Sequence, residues 1–406
     1  MVTNPSPVGC HAIDHAAVPA KAPPKHLPRV LVVAHQALPH IGGLEALVDL
    51  EVRQLAKRGY EVVLVTSDPG AGLPERPIEN VHVIRVPAWH VVERRFSISY
   101  PIFSPTLFPV LWRQLTRADI VHVHGFVFMN SALALVMARL LRKPSILTDH
   151  GGILHYRSRL GTWLLRAAIE TIGRISARSA TRLIAYNADV AALLTRLAGK
   201  KAKLSFLANP VDRSRFQVPT PQQRQAAQCH FGWDGGRTKV LFVGRLVADK
   251  GIDLLLAAAD PSYDLVFCGP GKPDTIERII RSGAEHVPSR PHEQMTQVYH
   301  AADLLALPSW NEGFPVVIQE ALACGLRVVT SDHQGYTPYR QLQGLHLCPL
   351  DPEAIRQILR QVLAADNPTH SDLLRDAPMH LTPTFDQWLD TIFADGLNAV
   401  ANFNSS

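Results

Sequence analysis

No stretch of this 406-residue chain runs for about 18 apolar residues, so nothing in it reads as an ordinary transmembrane helix. Cysteine is scarce and scattered: Cys10, Cys229, Cys268, Cys324 and Cys348, with no C-x-x-C pair. An odd, widely spaced set argues against a disulfide scaffold or a zinc site, and a reducing compartment is the default. The first 26 residues hold Pro, Ala and His without a continuous apolar core, so they do not read as a signal peptide and are expected to form a mobile arm. Neither sign of charge dominates. The net formal charge of +6 suits phosphate-bearing ligands or an anionic membrane surface, but alone it decides nothing.

What is present is globular: 47% hydrophobic and 19% charged residues, over a length that suits two cores of ordinary size. Arg29-Val-Leu-Val-Val-Ala34 reads as a central parallel strand, ending in a loop with Pro39, Gly42 and Gly43. A helix follows with Leu44, Leu47, Val48 and Leu55 on one stripe and Gly59 as its stop, and Glu61–Thr66 returns as a strand. Strand, glycine loop, helix and strand make a doubly wound unit, although the full G-x-G-x-x-G fingerprint is missing. Val81–Val86, Asp119–His124, Ser145–His150 and Leu183–Tyr186 read as further strands; His124 and His150 fall at carboxyl ends, where open α/β sheets bind ligands. Pro101, Pro105 and Pro109 argue against a long helix in the aromatic segment 95–114, which is read as a packed loop or an acceptor-side or membrane-facing surface. Arg174, Arg178 and Arg182 are expected on one helical face, solvated or turned to an anionic headgroup. Pro219–Gln228 reads as polar surface between domains.

The pattern then repeats. Lys239–Gly244 is a strand that delivers Arg245 and Lys250 to a loop before the next helix; a planar fork and a mobile point charge suit a diphosphate. Tyr263–Cys268 leads to a turn with Gly269 and Gly271, and Asp303–Pro308 is an apolar strand closed by proline. The stretch Ser309–Gly325 follows. Pro315 stands where a first helical residue belongs and Gly325 where a C-terminal cap belongs, so Glu312 lies in the loop and Glu320 in the helix, with seven residues between them. Backbone N–H groups around Gly313, Phe314, Pro315 and Val316 would favour an anion.

This stretch resembles the signature of retaining glycosyltransferases of the GT-B fold, family 4, in which two glutamates separated by seven residues precede Ala-x-Ala-x-Gly. The resemblance spans about residues 28 to 395 through the Gly42-Gly43 pair, His150, Gly244-Arg245-Leu246, Lys250-Gly251 and the two glutamates, in the family's order. It implies two facing Rossmann-like doubly wound α/β domains, 27–208 on the acceptor side and 209–380 binding the nucleotide sugar, with a C-terminal helix, 384–400, crossing back to the first. It assigns Glu312 and His150 to the donor sugar, Glu320 to the ribose, Arg245 and Lys250 to the diphosphate, and Gly42, Gly43, Gly244, Gly269 and Gly313–Val316 to the donor site. Asn209-Pro-Val-Asp212 departs from the family's Asn-Gly-Val-Asp by Pro210, which stiffens the joint, and the Gly-Gly pair and glutamate usual after Arg327–Thr330 are missing.

The implied activity is sugar transfer from a nucleotide diphosphate sugar to a glycan, lipid-linked or small-molecule acceptor with retention. A nucleotide-sugar epimerase and a non-catalytic nucleotide-sugar-binding protein are the rivals. No D-x-D triplet occurs, so no metal cofactor is implied and the nucleotide sugar is a substrate. No nucleic-acid partner is expected, and the expected location is cytoplasmic, peripheral at the inner face of the membrane.

Overall fold

The computed structural model describes residues 28–40, 43–68, 79–92, 100–150, 159–199, 203–310, 312–365 and 370–393; the N-terminal arm, Gly42 and residues 394–400 lie outside them. Strands β1 (Arg29–Val33), β2 (Glu61–Ser67) and β3 (Val81–Val86) are followed by a small antiparallel ribbon of β4 (Ala88–Trp89) and β5 (Ile102–Phe103). Then come β6 (Ile120–His124), β7 (Ser145–Asp149), β8 (Arg182–Ala185) and β9 (Leu204–Phe206). The first sheet is ordered β3-β2-β1-β6-β7-β8-β9, and every pair is parallel. Both faces are covered, so β1 is apolar after Arg29: Leu31 and Val33 enter one core, Val30 and Val32 the other.

The second sheet holds β10 (Thr238–Val243), β11 (Tyr263–Cys268), β12 (Glu285–Val287), β13 (Leu304–Leu307), β14 (Arg327–Ser331) and β15 (Leu345–Cys348). Its order, β12-β11-β10-β13-β14-β15, is also wholly parallel. Strand order reverses between β1 and β6 in one sheet and between β10 and β13 in the other. Ligand crevices of such sheets open at these switch points, outside the carboxyl ends.

Two segments pass between the sheets, 207–213 outward and 378–384 back, and they bond to each other: Ala208 N–H donates to His380 O (2.8 Å) and Val211 N–H to Pro383 O (3.0 Å). The Arg213 guanidinium adds bonds to Thr382 O and Oγ1 at 3.1 and 2.9 Å. The helical residues 385–393 then lie on the first sheet, where Phe385, Trp388, Leu389, Ile392 and Phe393 share a core with Val30 and Leu47. Arg58 pairs with Asp386 and Asp390 at 2.6 and 2.7 Å, and Arg182 donates to Thr391 O at 2.6 Å. This is the two-domain α/β architecture with a returning C-terminal helix expected from the sequence.

Three local expectations change. Leu107–Arg117 is an 11-residue helix that contains Pro109, because a proline in the first turn removes an N–H that has no helical partner. Arg174 and Arg178 lie on one helix (Arg174–Ser179) but Arg182 does not; it opens β8, and Arg174 is paired with Glu170. The expected basic face therefore falls apart. Pro221–Phe231 is a helix rather than loose surface, started by a reciprocal capping box between Thr220 and Gln223 with proline at its first position.

Candidate functional site

The loops after β10 and β13, the strands flanking the second switch point, are fastened together. Gly251 has φ +76°, and a Cβ there would run into the Pro308 carbonyl, so only glycine lets the Lys250 loop lie against the end of β13. Gly269, φ +145°, sits equally close to the Gly244 carbonyl. Trp310 N–H donates to Asp249 O (2.9 Å), and Ser309 Oγ reaches both Asp249 O and Glu312 Oε1.

Inside this frame the Lys250 ammonium is in contact with the Glu312 carboxylate. Burial, then the neighbouring Arg245, lower Lys250 to about 8, so it remains charged at neutral pH. Asp249 and Asp253, the aspartates beside it in sequence, are not its ion-pair partners; Asp253 pairs with Arg278. The Arg245 side chain is exposed and its guanidinium makes no hydrogen bond or ion pair with any described residue; its backbone carbonyl accepts from Val247 N–H. Two cations and a carboxylate thus line one crevice, and one cation is unclaimed.

Helix Val316–Ala323 begins one residue later than expected, with Pro315 as its N-cap. It ends in a Schellman motif: Gly325 has φ +78°, Leu326 N–H donates to Ala321 O and Gly325 N–H to Leu322 O. The helix starts from a rigid base, since Phe314 is buried and stacks on Tyr339 with ring centroids 3.5 Å apart. Glu320 is 4% exposed, not a solvated helix residue. His292 Nε2 lies 2.7 Å from its Oε1, and Tyr299 OH donates to its Oε2 at 2.6 Å. That hydrogen bond to Glu320, against the opposing effect of burial, raises His292 above the usual imidazole value. An ionised carboxylate has about four lone-pair positions, so Glu320 can accept another hydroxyl. His292 also meets Arg215, at 3.2 Å. His292, Tyr299 and Arg215 were not predicted; nothing in their local sequence marks them, because they converge only when the helices pack.

The first sheet meets this site through the ends of β7 and β8. Asn187 caps the helix Ala188–Ala198 with its Oδ1 and donates from Nδ2 to Gly313 O at 2.7 Å. Gly313 and Gly335 press so closely on Tyr186 and Asn187 that a Cβ on either would overlap them. Tyr186 OH donates to the His150 carbonyl, and Tyr339 OH to the Tyr186 carbonyl. His150 follows β7 as expected, but both its ring nitrogens are engaged: Nε2 with His124 Nδ1 (2.9 Å) and Nδ1 with Asn209 Oδ1 (2.8 Å). Gly43 is the exposed first residue of helix Gly43–Lys57, while Gly42 lies outside the described residues. The fold therefore gathers Gly244, Arg245, Lys250, Gly269, Glu312, Gly313, Phe314, Pro315, Val316 and Glu320 around one switch point and brings His150 to it through Tyr186 and Asn209. Among the described residues no helix is long and apolar enough to cross a membrane; Cys229, Cys268, Cys324 and Cys348 are unpaired.

Known proteins are similar to this chain in sequence and fold. The Glycosyltransferase Family 4 profile matches residues 41–215 and that of Glycosyl transferases group 1 matches residues 224–375. A D-inositol 3-phosphate glycosyltransferase of Mycolicibacterium smegmatis is 27% identical over 314 residues, 71% of each chain. A GDP-mannose:cellobiosyl-diphosphopolyprenol alpha-mannosyltransferase of Xanthomonas campestris is 27% identical over 328 residues, 75% of this chain and 78% of that one. In fold, the chain is similar to sucrose-phosphate synthase of Thermosynechococcus elongatus (TM-score 0.69, 19% identity, 93% of this chain and all of that one). It is also similar to Anabaena HepE in complex with UDP (TM-score 0.66, 16% identity, 93% and 99%).

Proposed function

Because the chain belongs to the family 4 glycosyltransferases, with that family's domain followed by a group 1 domain, we propose that it transfers a sugar from a nucleoside diphosphate to an acceptor hydroxyl with retention at the anomeric carbon. The observation that carries this reading is the unclaimed Arg245 beside Lys250, at the carboxyl ends of strands flanking a switch point. Negative charge grows on the departing diphosphate as the glycosidic bond breaks, and two fixed cations strengthen their hold as it does. The N–H groups around Gly313–Val316 add partial positive charge from the helix N-terminus, and Gly244 and Gly269 let backbone approach the phosphates.

Glu312 accepts from hydroxyls of the donor sugar, and Glu320 from the ribose. Among the described residues none stands out as a nucleophile on the opposite face, so the acceptor attacks from the leaving group's own face and a phosphate oxygen takes its proton. Donor binding closes the cleft, since the cations and His150 belong to different sheets. Relatives whose names include an inositol phosphate and a diphosphopolyprenol support a phosphorylated or lipid-linked acceptor. Exposed Phe108 and Trp112, stacked on the helix that also carries Arg113 and Arg117, support a peripheral position on an anionic membrane surface at the cytoplasmic face.

The test is incubation with GDP-, UDP- and ADP-sugars, with and without acceptor, following nucleoside diphosphate release and the anomeric configuration of product. Release that needs acceptor, with retained configuration, is expected. Donor conversion without acceptor would indicate an epimerase, absence of turnover a binding protein, and a trapped glycosyl-enzyme adduct would end the same-face mechanism.

A further inference from the structure

Behind His150 stands a polar line that the donor site does not use. Glu51 lies on helix Gly43–Lys57, on the face that sends Leu47, Val48 and Leu55 into the core, and is wholly buried. His122 and His124 are also wholly buried, and being two residues apart on β6 they share one face of the sheet. His122 Nδ1 lies 2.5 Å from Glu51 Oε1, and its Nε2 lies 2.8 Å from Thr148 Oγ1. His124 Nε2 lies 2.9 Å from Glu51 Oε2; the contact is bent, but neither atom has a hydrogen-bond partner elsewhere among the described residues. From His124 the line continues to His150 and Asn209.

A proton count from Glu51 to His150 has one solution in which both His124 and His150 are neutral. Burial alone would raise Glu51, but His122 and His124 together outweigh it and hold the carboxyl well below its usual range. An ionised carboxylate only accepts, so His124 donates from Nε2. Burial keeps His124 neutral, so its bare Nδ1 must accept from His150 Nε2–H. His150, lowered well below the usual value by burial and then by His124, is neutral as well, which leaves its Nδ1 bare. The two ends of the Asn209 amide are interchangeable in outline, and turned about, it donates to that nitrogen.

We infer that Glu51 is a positioning residue that acts through His124 to fix the His150 proton on Nε2, leaving Nδ1 a bare acceptor at the joint between the sheets. Resting on the function proposed above, that acceptor serves a hydroxyl of the donor sugar once Asn209 moves aside. Glu51, His122 and His124 also have the grouping of a metal cage, with ligand atoms within 4.8 Å of one another. The 2.5 and 2.9 Å pairs are too short for it, since tetrahedral ligands about 2.1 Å from a metal stand about 3.4 Å apart.

The experiment is nitrogen-15 NMR of histidine-labelled full-length protein at neutral pH, without donor, with the His150 signals identified by their loss in His150→Gln. Wild type is expected to show His150 protonated on Nε2 and bare at Nδ1. Glu51→Gln, whose amide can donate to His124, should move the proton to Nδ1 and lower kcat by about tenfold, the scale of one lost hydrogen bond to the donor sugar, with nucleoside diphosphate affinity little changed. Asn209→Ala should leave the tautomer alone. A wild-type His150 protonated on Nδ1, a tautomer that follows Asn209 instead of Glu51, or stoichiometric zinc in the purified protein would overturn the inference. Should Glu51→Gln fail to fold, the wild-type and Asn209→Ala spectra decide. The tautomer is legible in a protein that transfers no sugar, so its failure and that of the proposed function are distinguishable.

Discussion

Glu51 beneath the first sheet contacts His124 and Glu320 beside the second contacts His292, and the imidazoles at these two places are driven in opposite directions. His124 and His150 are lowered, with burial the largest influence. His292 is raised, because its hydrogen bond to Glu320 outweighs burial where the side chain is still 38% exposed. The same pair of residue types thus gives lowered imidazoles in a donor-acceptor ordered line when sealed from water and a raised imidazole when it opens on a crevice. Depth decides between a group that orders protons and one that can meet an anionic ligand.

The most severe way to break this comparison is to empty the sealed cluster. Glu51→Ala leaves two buried imidazoles facing a void and should cost about 3–5 kcal/mol of stability, the scale for removing one partner of a buried pair. Urea unfolding measures it, and a loss under about 1 kcal/mol would mean the cluster does not hold the first core. The open side predicts the reverse pattern. Arg245→Ala should raise the barrier of kcat by about 2–4 kcal/mol, by analogy with loss of one oxyanion donor, at an unchanged melting temperature. Near-normal turnover at saturating donor would place the diphosphate elsewhere. Arg245→Lys should stay impaired because an ammonium cannot reproduce the planar fork.

Glu320→Gln sharpens the contrast at about 1.5–3 kcal/mol, the worth of one hydrogen bond to a charged group. A ribose contact made in ground and transition state alike should raise donor KM more than it lowers kcat, and equal KM with lost kcat would contradict the assignment. The smallest effect is in pH. A raised His292 stabilises the fold fully below about 6.5, the unfolded value, and this is lost as pH rises through its higher folded value. Lowered His124 and His150 act oppositely: the unfolded chain takes up protons they refuse, so stability falls as pH drops below about 6.5. Melting curves from pH 5 to 9 should show His292→Gln less stable than wild type in acid and converging with it in base, by less than about 1 kcal/mol given solvent screening.

Much of this was written locally. Apolar strands, the strand end at Gly244-Arg245 and the Schellman glycine at 325 act through near neighbours, and the sequence showed them; Lys250 and Gly251, whose partners Glu312 and Pro308 are distant in the chain, were legible through the family motif. Two legible signals went unread. Thr220-Pro-Gln-Gln223 spells a capping box, hidden by the polarity of its helix. Glu51 falls on the same stripe as Leu47, Val48 and Leu55, where a carboxylate signals a buried partner. His292 and Tyr299 carried no such mark, and Asn187 was legible only as a helix start, because their contacts with Glu320 and Gly313 join segments far apart in the chain.

The paired crossings at 207–213 and 378–384 have a mechanical consequence. A single tether lets a body swing in any direction, but two tethers bonded side by side behave as the pins of a door and leave one easy axis of rotation. Pro210, Pro378 and Pro383 lie in these two tethers and stiffen both against twist. The closure proposed on donor binding would then follow a fixed path, in which His150 and Arg245 separate and return along the same arc.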